Sequence, residues 1–302
     1  MKWEAVSIRS ARRRTIAGAA LSLAGAAAVL LALGWSQGGA AAAEQTARAV
    51  IGEARPGTLT LALAPPVENV AIAGPAGRPI VVIDPGHGGR DPGATAVSGD
   101  LAEKQLTLAL ANALRVKLLE RGRVRVAMTR TDDRYLTLEQ RAGIARRLDA
   151  SLYISLHMDS APNPLARGAT VYSLSDVASD AEAERLAASE NAAGGGLSSD
   201  RNGSVRAILS DLALRDQMTA SAELAARLVR KASGQDELRP EPHKFAAFHV
   251  LRRAQVPAVL FEAGYISNVD DEAMLTDPAK RAKMADALAR TIEADVAARR
   301  NR

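Results

Sequence analysis

"VVIDPGHGGRDPGA", residues 81–94, decides how the chain is read. Val81-Val82-Ile83 is an apolar run that stops at Asp84-Pro85-Gly86, the pattern of a buried strand, set at 79–83, ending in a tight turn. His87, one of four histidines in the chain, stands between Gly86 and Gly88-Gly89. Glycine lets backbone approach where a Cβ would clash, so His87 is expected in an open pocket. A histidine in a surface turn has no function by itself. The question is whether the rest of the chain supplies partners for it.

Working outward, strands alternate with helices. Leu106, Leu110, Leu114 and Leu118 recur at i+4 in "EKQLTLALANALRVKLLERG", one face of a helix that Gly122 ends. "VRVAMTR" (124–130) is a second strand and "LTLEQRAGIARRLDA" a second helix. "LYISLH" (152–157), "ATVYSL" (169–174) and "VPAVLFEAG" (256–264) are further strands, and "DEAMLTDPAKRAKMADALARTIEADVAARR" closes the chain as one helix. This alternation argues for an α/β domain whose mostly parallel central sheet is covered by helices on both faces.

Ligands of such sheets bind beyond the carboxyl ends of the strands. His87, His157 and Glu262 each follow or end a strand, so one cleft is able to gather them. A hydrolytic zinc site needs neutral imidazoles and a carboxylate, with one position open for water. His87 and His157 are the candidate nitrogens, and Glu103, at the first turn of the helix after the glycine loop, is the candidate carboxylate. Each also has a plain structural explanation. The macrodipole favours an acid in a first helical turn, a histidine ending an apolar strand suits a core hydrogen bond, and Glu262 suits a buried paired acid. An isolated carboxylate at the end of an apolar strand is nevertheless costly unless something charged meets it. Spacing alone leaves a divalent-metal site and a structural role equally open.

Composition narrows the classes. The 302 residues carry a formal charge of +5, but the first 43 hold Lys2, Arg9, Arg12, Arg13 and Arg14 against Glu4 alone. The remainder is close to neutral, so no nucleic-acid partner is expected. The absence of cysteine excludes disulfides, thiolate metal sites and a Cys nucleophile. Arg12-Arg13-Arg14, the apolar stretch from Ile16 to Trp35 and the small residues of "GGAAAAEQ" read as an export signal over 1–43 that resembles the twin-arginine type, with Thr15-Ile16 departing from it. The rival is an uncleaved anchor, the only membrane contact expected. Either way the working part lies outside the cytoplasm, in the periplasm or cell envelope. Residues 44–77, rich in Ala, Pro and Gly, read as a linker with one short strand at Leu59–Leu63, and 78–302 as the catalytic domain.

"VVIDPGHGGRDPGA", "EKQLTLALA", "SLHMDS" and "VPAVLFEAGYISN", in that order, resemble the zinc-dependent N-acetylmuramoyl-L-alanine amidases of bacterial cell-wall metabolism. The resemblance runs from about Ile80 to the C-terminus. It implies one Zn2+ per chain held by His87, Glu103 and His157, with Glu262 as catalytic acid/base. The substrate it implies is peptidoglycan, cut between N-acetylmuramic acid and L-alanine of the stem peptide, in wall remodelling or daughter-cell separation. Met158-Asp159 and Ala263-Gly264-Tyr265 depart from the family's usual residues and touch no proposed ligand. Asn163, Arg167 and Asn268 are candidates for lining a substrate groove, and His243 and His249 read as structural or groove residues. The segment near 175–255 reads as helices broken at Gly194-Gly195-Gly196. Some relatives carry a helix here that plugs the active site until an activator protein displaces it, and Glu184 or Glu190 is the candidate acid on it.

Other chemistries fit less well. Zinc peptidases acting on stem peptides usually pair ligands as His-x-x-Glu, but Gly88-Gly89-Arg90 follows His87. A silent wall-binding or activator module is the non-enzymatic alternative, and the presence of all four proposed catalytic residues speaks against it. The catalytic segment 78–302 contains no G-x-S-x-G elbow and no G-x-x-x-x-G-K phosphate loop.

Overall fold

The computed structural model describes residue 67 and residues 69–193, 205–232 and 238–300. The signal and the strand expected at Leu59–Leu63 lie outside the described residues, as does the Gly194-Gly195-Gly196 break. The chain runs β1 (Ile72–Ala73), β2 (Ile80–Pro85), α1 (Glu103–Arg121), β3 (Arg125–Met128), α2 (Leu138–Arg147), β4 (Leu152–Asp159), β5 (Ala169–Leu174), α3 (Ala181–Ala193), α4 (Val205–Ala232), β6 (Leu238–Ala246), α5 (His249–Ala254), β7 (Ala258–Tyr265), α6 (Val269–Thr276) and α7 (Pro278–Arg300). The strands form one seven-stranded sheet in the order β1-β3-β2-β4-β7-β5-β6. The β3–β2, β2–β4, β4–β7 and β5–β6 pairs are parallel, whereas β1–β3 and β5–β7 are antiparallel. The mostly parallel α/β architecture expected from the sequence is what forms.

Alternating side chains feed two cores. Val81 and Ile83 of β2 join the leucine face of α1 with α4 and α7, while Ile80 and Val82 face α2, α3 and α5. Strands buried on both faces carry continuous apolar runs, which is why β2, β4 and β7 read so plainly. Leu106, Leu110, Leu114 and Leu118 form the buried stripe of α1, and Gly122 closes that helix at φ 65° with its N–H on the Leu118 carbonyl.

Three elements differ from expectation. The segment read as linker already pairs with the sheet through β1. β6 lies in the stretch read as helical; its Pro240 and Pro242 are tolerated because it is an edge strand. The closing helix is two helices, α6 capped by Asn268 and α7 starting at Pro278, where the missing N–H of proline costs nothing. Among the described residues no helix is long and apolar enough to cross a membrane.

The carboxyl end of β2 is fixed by a buried charge. Asp84 accepts hydrogen bonds from Thr129 Oγ1 (2.5 Å), Arg141 Nη1 (2.8 Å), Tyr153 OH (2.5 Å) and Ser155 Oγ (2.9 Å). Burial opposes ionisation, but Arg141 and these donors hold its pKa down to about 2. Asp84→Asn leaves Arg141 buried without a counter-charge and is expected to cost about 3–5 kcal/mol in urea unfolding. Because the folded pKa lies below the ordinary 3.8, the wild-type carboxylate stabilises the fold above about pH 4, and that contribution fades as pH falls towards 2. The variant is expected to lose this part of the acid dependence, which unfolding curves between pH 2 and 5 measure.

Candidate metal centre

The loop after β2 is held through its carbonyl oxygens. Arg141 donates to Pro85 O (2.8 Å) and His87 O (2.6 Å), and Arg130 donates to Pro85 O (3.0 Å) and Gly86 O (2.8 Å). His87 is thereby kept at φ 58°, a left-handed conformation that costs a non-glycine residue about 1–2 kcal/mol. Gly86 is required for a different reason, since a Cβ there would lie 2.3 Å from the His157 imidazole. Gly93 likewise leaves room for Glu103, whose Oε2 would stand 2.5 Å from an added Cβ.

The structure brings His87, Glu103 and His157 together. Glu103 Oε2 lies 3.1 Å from His87 Nε2, and Glu103 Oε1 lies 3.1 Å from His157 Nδ1. The backbone N–H groups of Ala94 and Met158 donate to the same carboxylate and fix it. The two rings stand edge to face with centroids 4.9 Å apart. Of the two acids considered on the inserted helix, Glu190 reaches the site, 3.8 Å from His87 Nε2 and 3.5 Å from His157 Nδ1. Glu184 is exposed on the far side of α3 and does not.

Electrostatics bind this cluster tightly. Burial alone would lower the His87 pKa, yet Glu103, Asp91 and Glu190 push it up to about 11. Burial raises the Glu103 pKa, but the two imidazoles outweigh it and hold the carboxyl well below the usual range. Desolvation pushes Glu190 up.

These residues fit a metal ion. His87, His157 and Glu190 each offer a ligand atom, all within 4.8 Å of one another, and His87 Nε2 is buried with no hydrogen-bond partner. Two imidazoles with carboxylates form the donor set of a hydrolytic metal centre. Asp91, which the sequence reading passed over, accepts from His87 Nδ1 at 3.0 Å and would orient the ring towards a metal. It stands four residues after His87 in the same glycine loop.

Glu262 sits beside this group. Its β7 position is in register with His157 of β4 and Thr170 of β5, so the three share one sheet face. Glu262 Oε2 is buried and unpartnered, and burial together with Asp159, Glu103 and Glu190 raises its pKa well above the ordinary value.

A family model described as N-acetylmuramoyl-L-alanine amidase matches residues 81–294. The chain belongs to this amidase family. Among curated relatives, N-acetylmuramoyl-L-alanine amidase AmiA of Escherichia coli K12 is 36% identical over 217 residues, covering 70% of this chain and 74% of that protein. AmiC of Escherichia coli O6:H1 is 30% identical over 236 residues, covering 76% of this chain and 56% of that protein. Among solved structures, the catalytic domain of the amidase CwlV from Bacillus (Paenibacillus) polymyxa superposes with a TM-score of 0.51 at 26% identity, covering 71% of this chain and 96% of that one.

The remaining expected residues of this amidase-family chain take structural posts. Asn268 caps α6 and donates to Pro164 O, Arg167 pairs with Asp270, and Asn163 accepts from Leu165 N within its own turn. His243 bonds Ser173 through Nε2 and packs on Phe245, and His249 opens α5. Of the two departures from the family's usual residues, Met158 packs into the core, whereas Tyr265 faces α3 and donates to Glu182.

Asp91→Ala is expected to weaken metal binding by about 10–100-fold, the usual cost of losing an orienting partner of a ligating histidine, while the fold persists. Calorimetric zinc titration alongside circular dichroism measures both.

Proposed function

We propose that this protein hydrolyses the amide between N-acetylmuramic acid and L-alanine in peptidoglycan, using one Zn2+ held by His87, Glu103 and His157. The observation that carries this reading is the meeting of those three side chains with the unpartnered Glu262 at one sheet edge, in a chain of the amidase family. An ion held by these residues would supply Lewis acidity towards the scissile carbonyl and lower the pKa of water to about 7. Glu262 Oε2, buried and free of other partners, takes a proton from the attacking water and returns it to the leaving amide nitrogen. Arg130 and Arg141 keep the His87 loop from moving during the reaction.

In this reading Glu190 makes the enzyme autoinhibited. It faces both imidazoles, and Ala193 and Asn191 of the same helix line the pocket beside them. An activator protein of the cell envelope would displace α3 and restrict cleavage to wall remodelling or daughter-cell separation. Export by the N-terminal signal places the protein where that wall is.

The test is dye release from labelled peptidoglycan, with mass analysis of the fragments. The wild type is expected to show low activity that a chelator abolishes and zinc restores. If the open state is the usual 0.1–10% of the population, Glu190→Ala raises basal activity by about 10–1,000-fold. Adding Glu262→Gln to that variant is expected to remove the activity while zinc still binds. A folded, zinc-loaded Glu190→Ala protein that leaves the muramyl–alanine bond intact overturns the amidase reading. Unchanged basal activity on opening overturns the autoinhibition.

A further inference from the structure

α3 crosses the cleft with a second carboxylate, and the partners of that carboxylate form a site of their own. Glu182 stands eight residues before Glu190 on the helix, about 12 Å along its axis. Its Oε1 lies 2.6 Å from Arg239 Nη1 and accepts from Tyr265 OH at 2.9 Å, and its Oε2 accepts from Lys244 Nζ at 2.8 Å. Arg239 also bonds the Tyr265 hydroxyl and lies over that ring. Both cations belong to the edge strand β6, whereas the imidazoles follow β2 and end β4. From β4 through β7 and β5 to β6 is three strand spacings, about 14 Å, so the two carboxylates of α3 span the sheet crosswise.

Between these ends, polar atoms on the same sheet face have no partner. Glu262 Oε2, Thr170 Oγ1, Tyr172 OH and Asp159 Oδ2 are all buried and unsatisfied. Buried polar groups are ordinarily paired, and four orphans in one trench mark a surface made to meet something other than a helix whose buried contacts here are Ala183 and Ala187. Once α3 lifts, Arg239 loses its carboxylate, and Lys244 loses both Glu182 and Asp180, the residue bonding the N–H of Ala183.

We infer that Arg239 and Lys244, with Tyr265, form a carboxylate-recognition subsite for the stem peptide, and that Glu182 occupies it as a substrate mimic in the closed state. This rests on the amidase reading above and adds which part of the substrate is selected. An extended peptide advances about 3.3–3.6 Å per residue, so the subsite takes a carboxylate carried some three to four residues beyond the scissile amide. Amidation of that carboxylate removes the charge that the two cations recognise.

The test is equilibrium binding, by calorimetry, of N-acetylmuramyl tetrapeptides with free or with fully amidated carboxylates to full-length zinc-loaded protein carrying Glu190→Ala and Glu262→Gln. The free-carboxylate peptide is expected to bind about tenfold or more tightly than its amidated counterpart. Adding Arg239→Gln is expected to bring that ratio to near one while the amidated peptide binds as before, and Arg239→Lys to restore part of it. Adding Glu182→Gln in place of the arginine change is expected to tighten binding of the free-carboxylate peptide alone. Equal binding of the two peptides, binding of neither, or an Arg239→Gln loss shared by both overturns the subsite. Fragment analysis with the Glu190→Ala protein separates the two readings. An uncut muramyl–alanine bond fails the amidase assignment, whereas cleavage without carboxylate preference fails the subsite alone.

Discussion

A buried carboxylate facing a buried guanidinium sets the geometry on which the site depends. Asp84 ends β2 on the face that also carries Ser155, His157 and Glu262, and Arg141 reaches from α2 to meet it at 2.8 Å. Two such charges are expensive to bury, and their attraction repays that cost only where further hydrogen bonds satisfy both groups. Arg141 also bonds the carbonyls of Leu136, Pro85 and His87, turning a charge pair into a clamp on the loop. Arg130 grips the same loop from the end of β3 and bonds Thr107 and Lys104 O on α1. The backbone of the loop is thus tied to two helices. That rigidity sustains His87 at positive φ and presents its imidazole to Glu103.

Much of this was legible because the relevant signals are local. The apolar run of β2, the glycine loop and the leucine stripe of α1 fall within a single stretch of about forty residues. The strand-end rule then placed His157 and Glu262 beside them, and parallel pairing in register completed the juxtaposition. The clamp was not legible, since Arg141 and Asp84 are 57 positions apart and nothing in either neighbourhood announces a pairing. β6 was hidden by two prolines that only an edge strand accommodates, and edge position is a property of the whole sheet. The choice between Glu184 and Glu190 lay in helix phase. With Ala183 and Ala187 on the inward stripe, position 190 returns to that stripe while 184 turns about 100° away.

The two faces of the sheet are covered with unequal commitment, and this bears on how the proposed plug would work. α1 buries Leu106, Leu110, Leu114 and Leu118, each worth about 1.5–3 kcal/mol when fully buried. The inward side chains of α3 are Ala183 and Ala187, single methyl groups worth about 1 kcal/mol each, with Leu186 half-buried at the margin. Removing α1 would dismantle the first core, whereas removing α3 takes away two buried methyl groups and the half-buried Leu186. What retains α3 is polar and placed at its ends: Glu182 on Arg239 and Lys244, and Asn191 bonded to Ala247 O and His249 N. Polar contacts of that kind can be exchanged for equivalent ones offered by a ligand or by water, at small net cost. A helix held in this way is suited to leave without unfolding the domain. Its two carboxylates make the same point chemically, because each occupies partners that a substrate of the proposed enzyme would need: the imidazole pair for the scissile amide, the cation pair for a distant carboxylate. Displacement of one helix would then release both ends of the cleft in a single step.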